Sequence, residues 1–376
     1  MKIGILKEQK SGEKRVAIVP STVSALSKKG YEFFLVSHSG LLSNYSDNDY
    51  IEAGAKIVSK NEVFDCDIIC KVNAPSDEEV SLLKSGTLFI SLLQTIKEID
   101  CVKKLADKKV SAFSLNLLPR TTLAQKMDVL SSQANIAGYK AVLIGSNHIG
   151  KYMPLLMTAA GTISPARTLV IGAGVAGLQA IATAKRLGSQ VEAFDVRPEV
   201  KEQVESLGAK FIEVDSDSDD GVGSGGYASE TSEEYKAKQQ ELMKERVGKS
   251  DIVITTALIP NRPAPMLIPK NMVETMAPGS VIMDLASENG GNCELTKKDE
   301  IVDHNGVIID GTSNFPATMS VHASQLYAKN ISSFVNYMVK EGELNLDLED
   351  EIISGAMFTH KGEITHQPTN ELASNN

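Results

Sequence analysis

Strands and helices that alternate along the whole chain, a glycine-rich strand-to-helix turn near its middle and an acidic residue ending the next strand together predict an α/β protein. Two Rossmann-like domains with mainly parallel sheets, separated by a cleft, fit that pattern. A chain of 376 residues is too long for one small core and suits two domains of roughly 150 to 200 residues.

In chain order, residues 2–6 read as a strand, 21–29 as a helix, and 32–36, 68–72, 87–92 and 110–114 as strands, followed by a helix over about 124–138. The second block runs from a strand ending at Ile171 through a helix over 178–187 to strands at 190–194, 210–214, 251–255, 280–285 and 307–310. This is about six strands in a doubly wound order. Residues 320–340 are helical by periodicity, with Val321, Leu326, Ile331, Phe334, Val335 and Met338 for a buried face. That helix returns to the first domain, which predicts residues 1–128 with 318–376 as one domain and 129–317 as the other.

The glycine turn is the most specific local signal. An apolar strand, Leu169-Val170-Ile171, enters Gly172-Ala173-Gly174-Val175-Ala176-Gly177 and then a helix. Gly172 permits the tight turn, Gly174 lets the backbone approach a pyrophosphate, and Gly177 lets the helix pack on the strand, whose N–H groups then face the anion. Asp195 ends the following strand, at about the ~20-residue distance where a carboxylate meets the adenosine ribose. A carboxylate there accepts from two ribose hydroxyls and repels a 2′-phosphate, which favours NAD(H) over NADP(H). The plain structural alternative is a glycine-rich turn beside a surface aspartate.

Charge and composition exclude several classes. A formal net charge of -10 opposes binding to nucleic acid or to an anionic membrane surface. Cys66, Cys70, Cys101 and Cys293 form no metal or redox spacing, and the start Met1-Lys2-Ile3-Gly4 lacks a secretory pattern, which implies a reducing, cytoplasmic setting. The longest uncharged run, 168–184, is broken by the three glycines and falls short of a membrane span. The six histidines show no metal-ligand spacing, so no metal is expected.

Two polar stretches leave alternatives open. The segment from Asp215 to Glu230, rich in Asp, Ser and Gly, is too poor in apolar surface to order itself, which predicts a mobile loop over 215–234. A calcium loop fails because its sixth position is Asp220 and its twelfth Gly226. What remains is either a lid with Tyr227 closing over a planar ligand or a solvated linker. Arg120, Gln125 and Asp128 follow Pro119 at the end of a strand and offer a donor fork, an amide and an acceptor. They suit a carboxamide, or they are a helix cap with ordinary exposed side chains.

The run Arg120 to Asn135, the glycine turn with Leu178-Gln179-Ala180-Ile181, Gly226-Tyr227-Ala228, Thr255-Thr256-Ala257-Leu258-Ile259-Pro260, Asp284-Leu285-Ala286 and Gly290-Gly291-Asn292-Cys293 together resemble the NAD(H)-binding component of the proton-translocating NAD(P) transhydrogenases, over essentially the whole chain. The resemblance implies that Arg120 and Asp128 anchor the nicotinamide carboxamide, that Gln125 reaches toward a second nucleotide and that Ser131 supports them. It implies that Gly172, Gly174, Val175 and Gly177 hold the pyrophosphate, that Asp195 reads the ribose with Val196 and Arg197 beside it, and that Leu258 lines the site. Gly226 and Tyr227 would form the tip of a loop closing on NAD(H). It also implies NADP(H) on a partner beta subunit, a membrane-spanning subunit that carries the proton path, a homodimer, and attachment to the inner face of the cytoplasmic membrane only through those partners.

Alanine dehydrogenases are similar across the same two domains and share the opening Lys2-Ile3-Gly4, Lys7-Glu8 and Arg15-Val16-Ala17. They resemble this chain with a lysine where Asn73 stands and a histidine where Leu93 stands. Reductive amination needs a proton donor and acceptor at the substrate carbon, which neither Asn73 nor Leu93 supplies. Arg15 then reads as structural rather than as a pyruvate clamp. Three classes remain: a transhydrogenase subunit, a complete amino-acid dehydrogenase, and an NAD-sensing module without chemistry.

Overall fold

The computed structural model describes residues 1–213, 233–259, 262–340 and 342–375. The chain divides into two compact units, Met1–Gln133 with Pro316–Asn376, and Ala134–Phe315.

The first unit is built on a sheet whose parallel strands are β1 (Lys2–Ile5), β2 (Glu32–Val36), β3 (Lys56–Val58), β4 (Ile68–Cys70), β5 (Leu88–Ser91) and β6 (Ser111–Ser114). They lie in the order 3-2-1-4-5-6. Strands β4, β5 and β6 are buried along their whole length, as central parallel strands covered on both faces must be. Beyond β6 the chain's end adds β18 (Met357–His360), antiparallel to β6, and β19 (Glu363–Ile364), antiparallel to β18. On one face Ile3, Phe33, Leu35 and Phe113 pack against Tyr327, Ile331, Phe334 and Met338 of the helix Ser320–Met338, with the Phe113 and Phe334 rings edge-on at 5.5 Å. Ile69, Phe89, Leu105 and Phe358 belong to the core of the other face.

That helix corrects part of the sequence reading. Val321 and Leu326 are only half-buried, and the buried stripe runs through Ala323, Tyr327, Ile331, Phe334 and Met338. Those positions are separated by three or four residues, so the rows that meet the sheet are set by helical geometry and not by which side chains are most apolar.

The second unit carries β9 (Arg167–Ile171), β10 (Gln190–Phe194), β11 (Lys210–Phe211), β12 (Ile252–Thr255), β13 (Val281–Asp284) and β15 (Val307–Asp310), parallel, with β14 (Ile301–His304) antiparallel at the edge. Their order is 11-10-9-12-13-15-14, the same winding as in the first unit. A separate antiparallel hairpin, β7 (Leu156–Thr158) and β8 (Gly161–Ile163), precedes it, and a short pair, β16 (Val339–Lys340) and β17 (Glu343–Leu344), follows the helix Ser320–Met338 in the first unit.

The single helix expected over about 124–138 is two elements: a 3-10 turn, Leu123–Met127, and an α-helix, Val129–His148. They break at Asp128, whose backbone is extended at φ -69° and ψ 91°. The division of the chain therefore falls inside the α-helix, after Gln133, a few residues beyond the expected 128/129. Its first turn is tied into the first unit, Ser132 by a bond to Asn330 and Gln133 by one to the Ala323 carbonyl.

Candidate functional site

In the second unit, β9 delivers the chain into the glycine turn at its carboxyl end. Gly172 sits at φ +98°, a left-handed conformation that costs glycine nothing, and a Cβ there would lie 2.5 Å from Thr256 Oγ1. At Gly177 a Cβ would lie 1.8 Å from the Gly172 carbonyl oxygen, whereas at Gly174 it would meet nothing within 4 Å. Two glycines thus serve the packing of the protein, and the third opens a surface. Gly174 is also the N-cap of the helix Val175–Arg186, and no side chain caps it. The first N–H groups of a twelve-residue helix are left facing outward, an arrangement that attracts anions.

Asp195 lies just past β10 and is almost wholly buried. It accepts from the Ala173 N–H at 2.6 Å, from the Arg197 N–H at 2.9 Å, and from Arg197 Nε and Nη2 at 3.0 Å each. Burial opposes its charge, but the Arg197 guanidinium and the two backbone N–H groups hold its carboxyl below the usual range. Val175, Val196, Leu258 and Ile259 are exposed apolar side chains of the same unit. An uncapped helix N-terminus, an open glycine, an ionised carboxylate and unburied apolar surface are the parts that a dinucleotide needs. The residues present fit one.

The first unit holds the polar loop. Arg120 and Gln125 are exposed, Gln125 on the 3-10 turn. Asp128 is half-buried and caps the helix Val129–His148, accepting from the Ser131 N–H at 2.9 Å and from Ser131 Oγ at 2.6 Å. Helix capping thus describes Asp128, and Ser131 is the residue that fixes it. Asn330 clamps the loop by donating to the Lys126 carbonyl at 2.9 Å and accepting from Ser132 Oγ at 2.8 Å. No sequence signal marked Asn330, because its partners lie about two hundred positions away. Gly226 and Tyr227 fall outside the described residues. The expected site residues therefore form two sets, Arg120, Gln125, Asp128 and Ser131 in the first unit and the glycine turn with Asp195, Val196, Arg197 and Leu258 in the second.

Arg15 is buried with its donors committed. Nε and Nη2 donate to the two Glu13 oxygens at 2.8 Å each, and Nη1 to Gln133 Oε1 at 3.0 Å. Asn73 Nδ2 donates to both Glu8 and Glu13 at 3.0 Å. Leu93 is core. Burial opposes the charge on Glu13, yet Arg15 overcomes it and holds the carboxyl at about 2. Burial pushes Glu8 up to about 7, against the pull of Lys71, Asn73 and the Val72 N–H. A carboxyl raised in the folded state stabilises the fold fully below its unfolded value and loses that contribution as pH rises through the folded value. Glu8→Gln should therefore gain about 2 kcal/mol on wild type at pH 8 and well under half of that at pH 5. Urea unfolding at both pH values measures this, and an equal difference at both would remove Glu8 as the titrating group.

Burial pushes the Cys66, Cys70 and Cys101 thiols up to about 12 and Cys293 to about 11, so none supplies a thiolate at neutral pH. Among the described residues no group of three or more His, Cys, Asp or Glu side chains could hold a metal ion, and no helix is long and apolar enough to cross a membrane.

The family model described as alanine dehydrogenase/PNT, N-terminal domain, matches residues 4–137, and its C-terminal counterpart matches residues 141–367. The chain is 46% identical to the first of the separately encoded portions of the NAD(P) transhydrogenase alpha subunit of Rhodospirillum rubrum, covering 97% of this chain and 98% of that one. It is 30% identical to an alanine dehydrogenase of Staphylococcus saprophyticus over 98% of this chain and 95% of that one. Among solved structures, the transhydrogenase from Sinorhizobium meliloti superposes with a TM-score of 0.88 at 42% identity, covering 97% of this chain and 100% of that one.

Proposed function

The chain belongs to the alanine dehydrogenase/PNT family, and from that premise we propose that it is the NAD(H)-binding alpha subunit of a proton-translocating NAD(P) transhydrogenase. The observation that carries the reading is the uncapped, glycine-opened helix N-terminus at Gly174 beside the engaged carboxylate of Asp195. The identity to a transhydrogenase subunit over nearly the full length supports it.

In this reading the glycine turn, with Gly172, Gly174, Val175 and Gly177, takes the pyrophosphate, and Asp195 reads the ribose with Val196 and Arg197 beside it. Leu258 offers apolar surface. Arg120 and Asp128 anchor the nicotinamide carboxamide, and Ser131 keeps Asp128 in one orientation. Gln125, exposed on a clamped 3-10 turn, reaches toward NADP(H) on a beta subunit. The bound nicotinamide supplies a hydride, so the chain itself needs no acid or base. Its part is to position, to orient and to exclude water. Proton coupling belongs to the membrane-spanning partner, and the chain, as a homodimer, sits peripherally on the inner face of the cytoplasmic membrane through its partners. The closing-loop role of Gly226 and Tyr227 rests on the family resemblance alone.

The amino-acid dehydrogenase reading is disfavoured by Asn73, which donates to two carboxylates, and by Leu93, which is core. Arg15 offers no spare fork for a substrate carboxylate.

Calorimetry on the isolated chain tests the cofactor. NADH should bind and NADPH should not, and Asp195→Ala should weaken NADH by about 1.5 to 3 kcal/mol, roughly 10- to 100-fold, while erasing the discrimination. Equal affinity of the wild type for both nucleotides would sink the assignment of Asp195. Adding an NADP(H)-binding subunit should yield hydride exchange, and alanine oxidation by the chain alone would favour the dehydrogenase.

A further inference from the structure

We propose that Asn292 is a positioning residue for dinucleotide binding, the buried amide that sets the Ala257–Leu258 backbone against the glycine turn. The proposal rests on the reading of that turn as the nucleotide site.

Asn292 is fully buried and takes no part in the chemistry described above. Its side-chain amide pairs with Ala257 as a neighbouring strand would. Oδ1 accepts from the Ala257 N–H at 3.1 Å, and Nδ2 donates to the Ala257 carbonyl at 2.9 Å. Nδ2 also donates to the Pro265 carbonyl at 2.8 Å, so one amide joins both limbs of the segment between those residues. A buried amide with its donors and acceptor filled by backbone holds a loop in one conformation.

Both flanks of Asn292 are anchored. On one side stands Asp284, fully buried at the carboxyl end of β13. It accepts from the N–H groups of Asn292 at 2.7 Å, Cys293 at 3.1 Å and Ala286 at 3.0 Å, and from the hydroxyls of Thr255 at 3.0 Å and Thr296 at 2.6 Å. On the other side Thr256 closes onto the turn. Its N–H donates to the Ile171 carbonyl at 2.9 Å, and its hydroxyl donates to the Gly172 carbonyl at 2.9 Å. A chain of contacts thus runs from Asp284 through Asn292 and Ala257 to Thr256 and Gly172. The exposed Leu258 stands at its end, one residue past the clamped Ala257. Without the Asn292 amide, Ala257 loses both partners and Leu258 its fixed place.

The test compares Asn292→Ala and the milder Asn292→Ser with Thr168→Val. The last breaks a buried hydroxyl pair, Thr168 to Ser189 at 2.7 Å, at the opposite end of β9, and controls for loss of stability alone. NADH affinity by calorimetry, melting temperature, and KM and kcat in a complex with the NADP(H)-binding subunit are read for each. Asn292→Ala should weaken NADH about tenfold or more and raise its KM, with kcat changed less than about twofold, because alignment of the nucleotide and not the reacting groups is lost. Thr168→Val should lower the melting temperature and leave affinity unchanged. The proposal is overturned if the Asn292 variants bind NADH as wild type does, or lose no more affinity than Thr168→Val at equal loss of stability. If Asn292→Ala does not fold, Asn292→Ser decides by the same criteria. Failure of the wild type to bind NADH would instead overturn the reading of the glycine turn.

Discussion

Replacing Gly177 with alanine is expected to reduce NADH affinity by at least about two orders of magnitude. The added Cβ would lie 1.8 Å from the carbonyl oxygen of Gly172, far inside the ~3.0 Å limit of van der Waals contact, and the obstructing atom is backbone. No side-chain rotation relieves it. Either the helix Val175–Arg186 lifts off the sheet or the turn at Gly172 opens, and in both cases the N–H groups that face the pyrophosphate lose their aim. Part of the loss will appear as lower stability, because β9 and this helix share the core around Val170, Ala180 and Ile181. Titration well below the variant's melting temperature separates the two. Wild-type affinity in a folded Gly177→Ala protein would show that the turn does not hold the nucleotide. Gly138 offers an independent check, since a Cβ there would lie 2.0 Å from the Ala176 carbonyl oxygen, pressing on the same helix from its other side.

Gln125→Asn carries the second large effect, and here binding should survive while transfer fails. Gln125 is exposed on a 3-10 turn whose backbone is fixed by the Asn330 bond to the Lys126 carbonyl, so shortening its side chain by one methylene should leave the turn unchanged. NADH affinity should stay within about twofold. Hydride transfer to NADP⁺ in the reconstituted complex should fall tenfold or more, since ~1.4 kcal/mol of lost alignment in the transition state already slows a step by that factor. Single-turnover measurements read the step directly. An undiminished rate would place the setting of ring geometry on other residues, and a parallel loss of NADH affinity would make Gln125 an anchor like Arg120 and Asp128.

What could be read from the residue order alone divides by range. The glycine turn was legible because its logic is local: strand, three glycines, helix and an acidic residue at the next strand's end all lie close together in the chain. The winding of both sheets followed from the regular alternation of apolar strands with helices. Arg15 was read as structural because the partners of a pyruvate site were missing at Asn73 and Leu93, and the fold gives it Glu13 and Gln133 as partners. The rest depended on contacts that only the fold creates. Asn330, Asn292 and Asp284 act through residues 8 to 204 positions away, and an isolated polar residue in an apolar stretch does not announce its partner. The break at Asp128 escaped notice because both flanks are helical in pattern, and only the capping bonds to Ser131 distinguish one helix from two. Strands of two or three residues, such as β3 and β19, are too short to show a period.

The return of the chain's last segment to the first unit has a consequence for biosynthesis. The second unit is one uninterrupted stretch, Ala134–Phe315, and can close as soon as it clears the ribosome. The first unit is complete only when Pro316–Asn376 arrives. Until then β6 lacks its antiparallel neighbour β18, and the face holding Ile3, Phe33 and Phe113 lacks Tyr327 and Phe334. The earliest residues made are thus the last to be covered, and for the whole of synthesis they present an open strand edge and bare apolar surface. Nascent chains in that state are the ones that chaperones engage and that aggregate when they are not engaged.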